Sequence, residues 1–195
     1  MRTKLLVLSI CLIFLYGGCS SAGGGDAELT AQGKAIETFT GYVMVVGGVA
    51  SGESTRFTIK IREYTSDEDT LKYVNILKEQ GQPALRAALE KVEVGWIAPT
   101  GQLQEPVNLA RSHNVEGGRV INIVKTRYLH FLEFALGTPR SRDYDITFIQ
   151  LKIDEKGVGD GVMFAGTKLM FDANDKLVLE QRGTTVIKIN GVRLK

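Results

Sequence analysis

The chain has 195 residues, of which 44% are apolar and 24% are charged, and these proportions exclude wholesale disorder and a fibrous architecture. The length fits one domain or at most two small ones. Of 24 Lys and Arg residues, Arg2 and Lys4 lie in a predicted leader, and the remaining 22 equal the 22 Asp and Glu residues. A mature chain without formal net charge gives no support for binding to nucleic acid or to anionic membranes.

The first residues are organised like an export signal. Arg2 and Lys4 precede an apolar run over residues 5–15, which as a helix spans roughly 16 Å, well short of the hydrocarbon layer of about 30 Å. This run predicts a secretory signal rather than a permanent membrane-spanning helix. We therefore assign residues 1–18 to a signal peptide.

The leader ends in small residues that run directly into a cysteine. Residues 15–19 read Leu-Tyr-Gly-Gly-Cys, and this segment resembles the lipobox of bacterial lipoproteins, with Tyr16 in place of the usual leucine. The resemblance implies that Cys19 receives the lipid, becomes the new N-terminus and anchors the chain, with Ser20 favouring the outer membrane, facing periplasm or surface. The alternative is an ordinary signal-peptidase site in which Ser20 and Ala22 form the small-x-small pattern, so that the mature chain begins near Gly23 as a soluble periplasmic or secreted protein.

Both cysteines, Cys11 and Cys19, lie in this N-terminal region, and none occurs from Ser20 to Lys195. Disulfides, cysteine nucleophiles and thiolate metal centres are therefore excluded from the sequence after the leader. Residues 19–35 are rich in Ser, Gly and Ala and predict a lipid-attachment cysteine followed by a flexible tether with a span of roughly 22 Å. Residues 36–195 are predicted to form a single α+β domain.

The domain begins with a predicted hairpin over residues 39–46 and 55–63. In the second strand Phe57, Ile59 and Ile61 alternate with polar residues, which predicts one buried and one solvated face.

A helix-start pattern follows at Ser66, whose hydroxyl can cap a first turn carrying Asp67, Glu68 and Asp69 at the positive helix end. Gly81 is predicted to end this helix, and Pro83 to begin a second one.

The rest of the chain is predicted to be mostly strand. Residues 128–136 are apolar nearly throughout and fit either a short buried helix or a strand. The predicted fold class is α+β, an antiparallel sheet of about seven strands with two consecutive helices inserted after the first hairpin. The later predicted strands cover residues 92–98, 119–126, 144–153, 161–171 and 176–190.

Candidate catalytic and metal-binding residues are few. His113 is predicted in a polar surface loop and His130 in the apolar segment, and a structural role is the favoured interpretation of both. His130, Glu133 and His113 could supply three zinc ligands, but no His-Glu-x-x-His frame exists. We therefore predict no catalytic residue, no metal site and no cofactor.

Three loop segments resemble ligand-binding motifs only in part. The acidic segments that begin at Asp154 and Asp172 lack the oxygen ligand that a calcium loop needs at its fifth position. Residues 157–161 are glycine-rich, but no helix follows to hold a phosphate. All three are predicted to be turns between strands.

The best remaining binding candidate is the loop that contains Arg140, Arg142, Asp143 and Tyr144. Two guanidinium groups beside a phenol could contact an anion or a carbohydrate. The alternative is a charged loop whose arginines pair with Asp143 and Asp145.

The favoured function is a non-enzymatic binding or scaffold domain, anchored to a membrane of the bacterial cell envelope through its lipid. It would hold an envelope protein or polymer, not nucleic acid, on the free face or an edge of its sheet. A hydrolase of envelope polymers, acting through the His113 or Arg140 neighbourhood, is one alternative. A carrier of an apolar ligand is the other, with a cavity lined by Phe131, Phe134, Phe148, Phe164 and Phe171.

Overall fold

A computed structural model of the chain describes residues 36–46, 51–127, 143–181 and 186–195. The predicted leader, Cys19 and tether lie outside the described residues, as do residues 128–142 with His130, Arg140 and Arg142. The described elements, in chain order, are β1 (Glu37–Val46), β2 (Ser54–Ile61), α1 (Asp67–Leu89), β3 (Gly95–Pro99), β4 (Glu105–Val107), β5 (Leu109–Val115), β6 (Gly118–Lys125), β7 (Ile146–Asp154), β8 (Val158–Phe171), β9 (Leu177–Gln181) and β10 (Val186–Leu194).

The strands form one antiparallel, ten-stranded sheet in the order β4-β3-β2-β1-β10-β8-β7-β6-β5, with β9 paired to β8. The strands at the two ends of this order, β4 and β5, are consecutive in the chain and separated only by Asn108. One continuous segment therefore pairs first with β3 and then with β6. This makes the sheet nearly closed and barrel-like. The first and last strands, β1 and β10, are also direct neighbours.

Asn108 holds the corner between β4 and β5. Its Nδ2 donates to the carbonyl oxygens of Leu89 at 3.1 Å and Val92 at 2.8 Å, and its Oδ1 accepts from the backbone N–H of Thr126 at 2.9 Å. Its own N–H donates to the Val124 carbonyl at 3.0 Å. Since Asn108 is only 3% exposed, these bonds form away from water and join the end of α1 to the end of β6.

The inner side of the sheet is filled by apolar side chains that alternate with outward residues along each strand. Phe57, Ile59 and Ile61 are fully buried there, which confirms the alternation predicted for this strand. Members of this interior cluster are Phe39, Val43, Phe57, Ile59, Ile61, Ile97, Val107, Ile121, Ile123, Ile149, Leu151, Ile153, Met163, Ile187, Ile189 and Val192.

A second apolar layer lies between α1 and the outer side of the sheet. Its sheet residues come from β5, β6, β7, β8 and β9, so α1 covers this part of the sheet only. The layer contains Tyr73, Leu77, Leu85, Leu89, Leu109, Val124, Ile146, Phe148, Phe164, Leu169 and Leu179.

The predicted α+β fold of about seven strands and two helices is wrong. No strand was predicted over residues 99–118, which contain β4 and β5, and residues 176–190, predicted as one strand, contain β9 and the start of β10. Proline is unfavourable in most strands, so Pro106 argued against a strand in residues 99–118. It nevertheless lies in β4, opposite Trp96, and the pairing of β5 with β6 continues to Val115.

The two predicted helices form a single helix with a bend. Ser66 caps it as predicted, accepting from the Asp69 N–H at 3.1 Å. Gly81 has non-helical φ of 79° and ψ of −179°, so two helical segments of α1 meet there at a kink, at the position where the first helix was predicted to end. The residue after the kink is fixed to the sheet. Gln82 accepts from the Leu169 N–H at 2.6 Å and donates to the Asp145 carboxylate at 2.8 Å. This helix, the only one in the described residues, does not combine the length and apolarity that crossing a membrane requires.

Two glycines of β8 are required by the packing of the sheet. A Cβ atom on Gly159 would lie 1.8 Å from the Lys152 carbonyl oxygen, and one on Gly161 would lie 2.3 Å from that of Gln150. Only glycine lets β7 and β8 approach this closely. The predicted turn over residues 157–161 is therefore wrong beyond its start, since β8 already begins at Val158.

Replacing Asn108 with alanine should destabilise the fold by about 2–4 kcal/mol, because it leaves buried carbonyl and N–H groups without partners. Asn114→Ala is the matched control, because Asn114 is exposed on the adjoining strand β5 and should change stability by less than about 0.5 kcal/mol. Urea unfolding of both variants measures the difference. Equal midpoints for the two variants would contradict the role given to Asn108.

Candidate functional site

The predicted binding loop is described only from Asp143 onward. The Tyr144 hydroxyl donates to the Glu180 carboxylate at 2.7 Å, and the Asp143 carbonyl accepts from Gln82 Nε2 at 3.1 Å. Asp145 forms an ion pair of 2.6 Å with Arg86 of α1. Asp143 and Tyr144 are thus held against the bend of α1 and against β9, while Arg140 and Arg142 lie outside the described residues.

A groove of about 570 Å³ lies beside this loop, between the bend of α1 and the end of β8. Lys78 crosses it, pairing with Asp175 at 2.6 Å and lying 4.8 Å from the centroid of the Phe171 ring. Lys168 and Asp143 add one charge of each sign to the lining. With both signs present and Lys78 already paired, the groove has no net electrostatic preference for a ligand.

The phenylalanines considered for an apolar cavity divide between two places. Phe148 and Phe164 pack under α1 with ring centroids 6.4 Å apart, and Phe171 lies in the groove wall. The apolar space under α1 is about 60 Å³, which is room for roughly two water molecules. A larger apolar ligand would have to displace the helix. Phe131 and Phe134 lie outside the described residues.

His113 is placed differently from the prediction. It lies in β5 opposite Val120, half-buried, and not in a surface loop, because β5 pairs with β6 along its whole length. Burial, followed by the charge of Arg111, lowers the pKa of His113. Its proposed zinc partners His130 and Glu133 lie outside the described residues, and among those described no three His, Cys, Asp or Glu residues are grouped to hold a metal.

The lowered pKa of His113 predicts how the stability of the fold depends on pH. Because the unfolded chain binds a proton more readily than folded His113 does, the imidazole's contribution to stability should be complete above its ordinary pKa of 6.5 and lost as the pH falls toward the folded-state pKa. Proton NMR titration should place the His113 pKa below 6.5, with His113→Gln assigning the resonance. A pKa at or above 6.5 would contradict this.

A different surface emerges on the side of the sheet that α1 leaves open. The helix covers β5 to β9, whereas the outward residues of β3, β2, β1 and β10 remain partly or fully exposed. We call this surface the basic face. It comprises Trp96 and Ala98 of β3, Arg56, Thr58 and Lys60 of β2, Thr38, Thr40, Tyr42 and Met44 of β1, and Lys188, Asn190 and Arg193 of β10.

Strand register arranges the basic face in rows. Lys60 lies between Thr38 on β1 and Trp96 on β3, and Arg56 lies opposite Tyr42. The Arg56 guanidinium donates to the Tyr42 hydroxyl and lies 5.1 Å from its ring centroid. These two rows therefore place a cation beside an aromatic or hydroxyl group, within one strand spacing of about 4.8 Å.

The charge of the basic face has a single sign. Its basic side chains are Arg56, Lys60, Lys188 and Arg193, and none forms an ion pair with another described residue. No Asp or Glu belongs to the face, and Asp160 of the adjoining β8 uses one carboxylate oxygen to accept from the Gly191 N–H at 2.8 Å. Uncompensated cations on one surface produce a positive potential that attracts anionic partners.

Sequence reasoning missed this face because the charges of the chain after the predicted leader cancel. Part of the signal was visible: Arg56 and Lys60 alternate with buried Phe57 and Ile59, which places both cations on one side of β2. The rest required the sheet order, since only the β1–β10 pairing brings residues 188–193 beside residues 38–44.

The comparisons with known proteins give no relative: no protein-family model, no curated protein and no solved structure matches the chain. The function proposed below is therefore inferred from this chain's own geometry and charge.

Proposed function

We propose that this protein is an exported, lipid-anchored binding domain of the bacterial cell envelope, and that the basic face holds its partner. The single-sign charge of that face is the observation that carries the proposal. Surfaces of one sign raise the association rate and select partners of the opposite sign. No helix of the described residues covers this four-strand face, which therefore offers a broad contact area for a partner.

The anchor is supported by the lipobox-like residues 15–19, which make Cys19 the attachment point. A lipid carrying several acyl chains holds a protein firmly, where one chain alone is marginal. Residues 20–35 would then connect the lipid to β1, and a chain of this length reaches at most about 55 Å. The partner would accordingly lie at or near the membrane, with the outer membrane as the favoured location.

The groups that could suggest catalysis are better explained by structure. The Tyr64 hydroxyl donates to Glu37, whose other carboxylate oxygen pairs with Arg119 at 2.9 Å. Burial, and then the Glu37 hydrogen bond, raise the pKa of Tyr64, so its phenol stays protonated and is a poor nucleophile. Lys125 is also buried and pairs with Glu105 at 2.9 Å. These polar groups therefore form hydrogen bonds and ion pairs with one another.

Expression of the full chain in a bacterium fed an alkyne-tagged fatty acid tests the anchor. We expect label on the wild type and on Cys11→Ala, which fractionate with membranes, and no label on Cys19→Ala. Cys11→Ala is the matched control, because it removes the other cysteine of the chain. The attachment at Cys19 would be disproved by label retained on Cys19→Ala, or by an unlipidated mature chain that begins near Gly23.

A further inference from the structure

We infer that the partner of the basic face is the anionic headgroup surface of the membrane that carries the anchor. The inference rests on the proposed function, because the lipid at Cys19 is what keeps a bilayer within reach. It names the partner by its chemistry: phosphate groups displayed on a plane.

The face is wide enough to meet several headgroups at once. Its strands β3, β2, β1 and β10 are neighbours in one sheet, and three strand spacings give a width of about 15 Å. Arg56 and Lys60 lie on one side of β1, and Lys188 and Arg193 lie on the other. Cations spread over this width can contact several headgroups together.

The aromatic residues fit the same partner. Tyr42 is 45% exposed, and Trp96 is half-buried beside Lys60. Tyrosine and tryptophan favour the membrane–water interface, because an apolar ring and a polar atom occur in one side chain. Their position among the cations gives the face both components of interfacial binding.

Chain connectivity places the face next to the anchor. The predicted tether, residues 20–35, is followed by Ile36, which is 73% exposed and directly precedes β1. Since β1 runs between β2 and β10, the tether joins the domain at the strand in the middle of the face. Docking of an anchored domain is intramolecular, so charges too weak to recruit a free protein suffice to orient a tethered one.

The test uses Trp96, the single tryptophan of the chain. The mature lipidated protein is purified and reconstituted into vesicles of phosphatidylcholine, or of phosphatidylcholine with phosphatidylglycerol, each containing brominated lipid as a quencher. We expect strong quenching of Trp96 only with phosphatidylglycerol, and its loss at high salt, where exposed charges are screened.

Charge reversal identifies the face. The double variant Lys188→Glu/Arg193→Glu should lower the ratio of docked to free domain by at least about 25-fold, since each basic residue near an anionic surface is worth about fivefold and each new carboxylate adds repulsion. Lys72→Glu/Lys91→Glu makes the same charge change at exposed lysines on the helix side and should leave quenching as in the wild type.

The outcomes separate the inference from the proposed function. If mass spectrometry finds no lipid, the anchor is disproved, and sedimentation of the mature chain with phosphatidylglycerol vesicles then tests the face by itself. A lipidated protein whose Trp96 is not quenched more by phosphatidylglycerol overturns the inference, as does equal loss in both double variants. A Trp96 response to heparin without one to phosphatidylglycerol would overturn it in favour of a soluble polyanion.

Discussion

A curled sheet can close only if the backbone groups at its meeting edges find partners, because water cannot reach them. Asn108 meets this requirement with one side chain that donates to the end of α1 and accepts from the end of β6. The apolar interior depends on this corner, because β4 and β5 are the strands that complete it. The layer under α1 depends on it as well, because the same amide fixes the last turn of the helix.

The open face follows from how the helix is fixed. Gln82 at the bend and Asn108 at the C-terminal end both fasten α1 on the side of β5 to β9. A single helix cannot also cover β3, β2, β1 and β10, so their outward residues meet solvent. In most proteins such a surface would carry mixed charges, but here the outward positions of four adjacent strands include lysine and arginine without acidic residues. Because α1 covers only one part of the sheet, a positively charged surface is exposed on the other part.

The parts of the fold that the sequence predicted are those encoded locally. The alternation in β2 and the cap at Ser66 each depend on residues within one element, and both predictions are confirmed. The corner was not predictable in this way, because Asn108 joins residues 89, 92, 124 and 126, which are remote in sequence. The basic face has the same limitation: its cations come from both ends of the domain, and net charge averages away their segregation.

The pairing of the first strand with the last has a consequence for the timing of folding. Because β1 and β10 are neighbours in the centre of the strand order, the sheet cannot be completed until nearly the last residue is present. Contacts between such distant segments form slowly. For a polypeptide that traverses a translocation pore as an extended thread, late completion is an advantage, since a domain that folded early would block its own passage. The topology thus delays completion of the sheet until β10 is available, which suits the export proposed above.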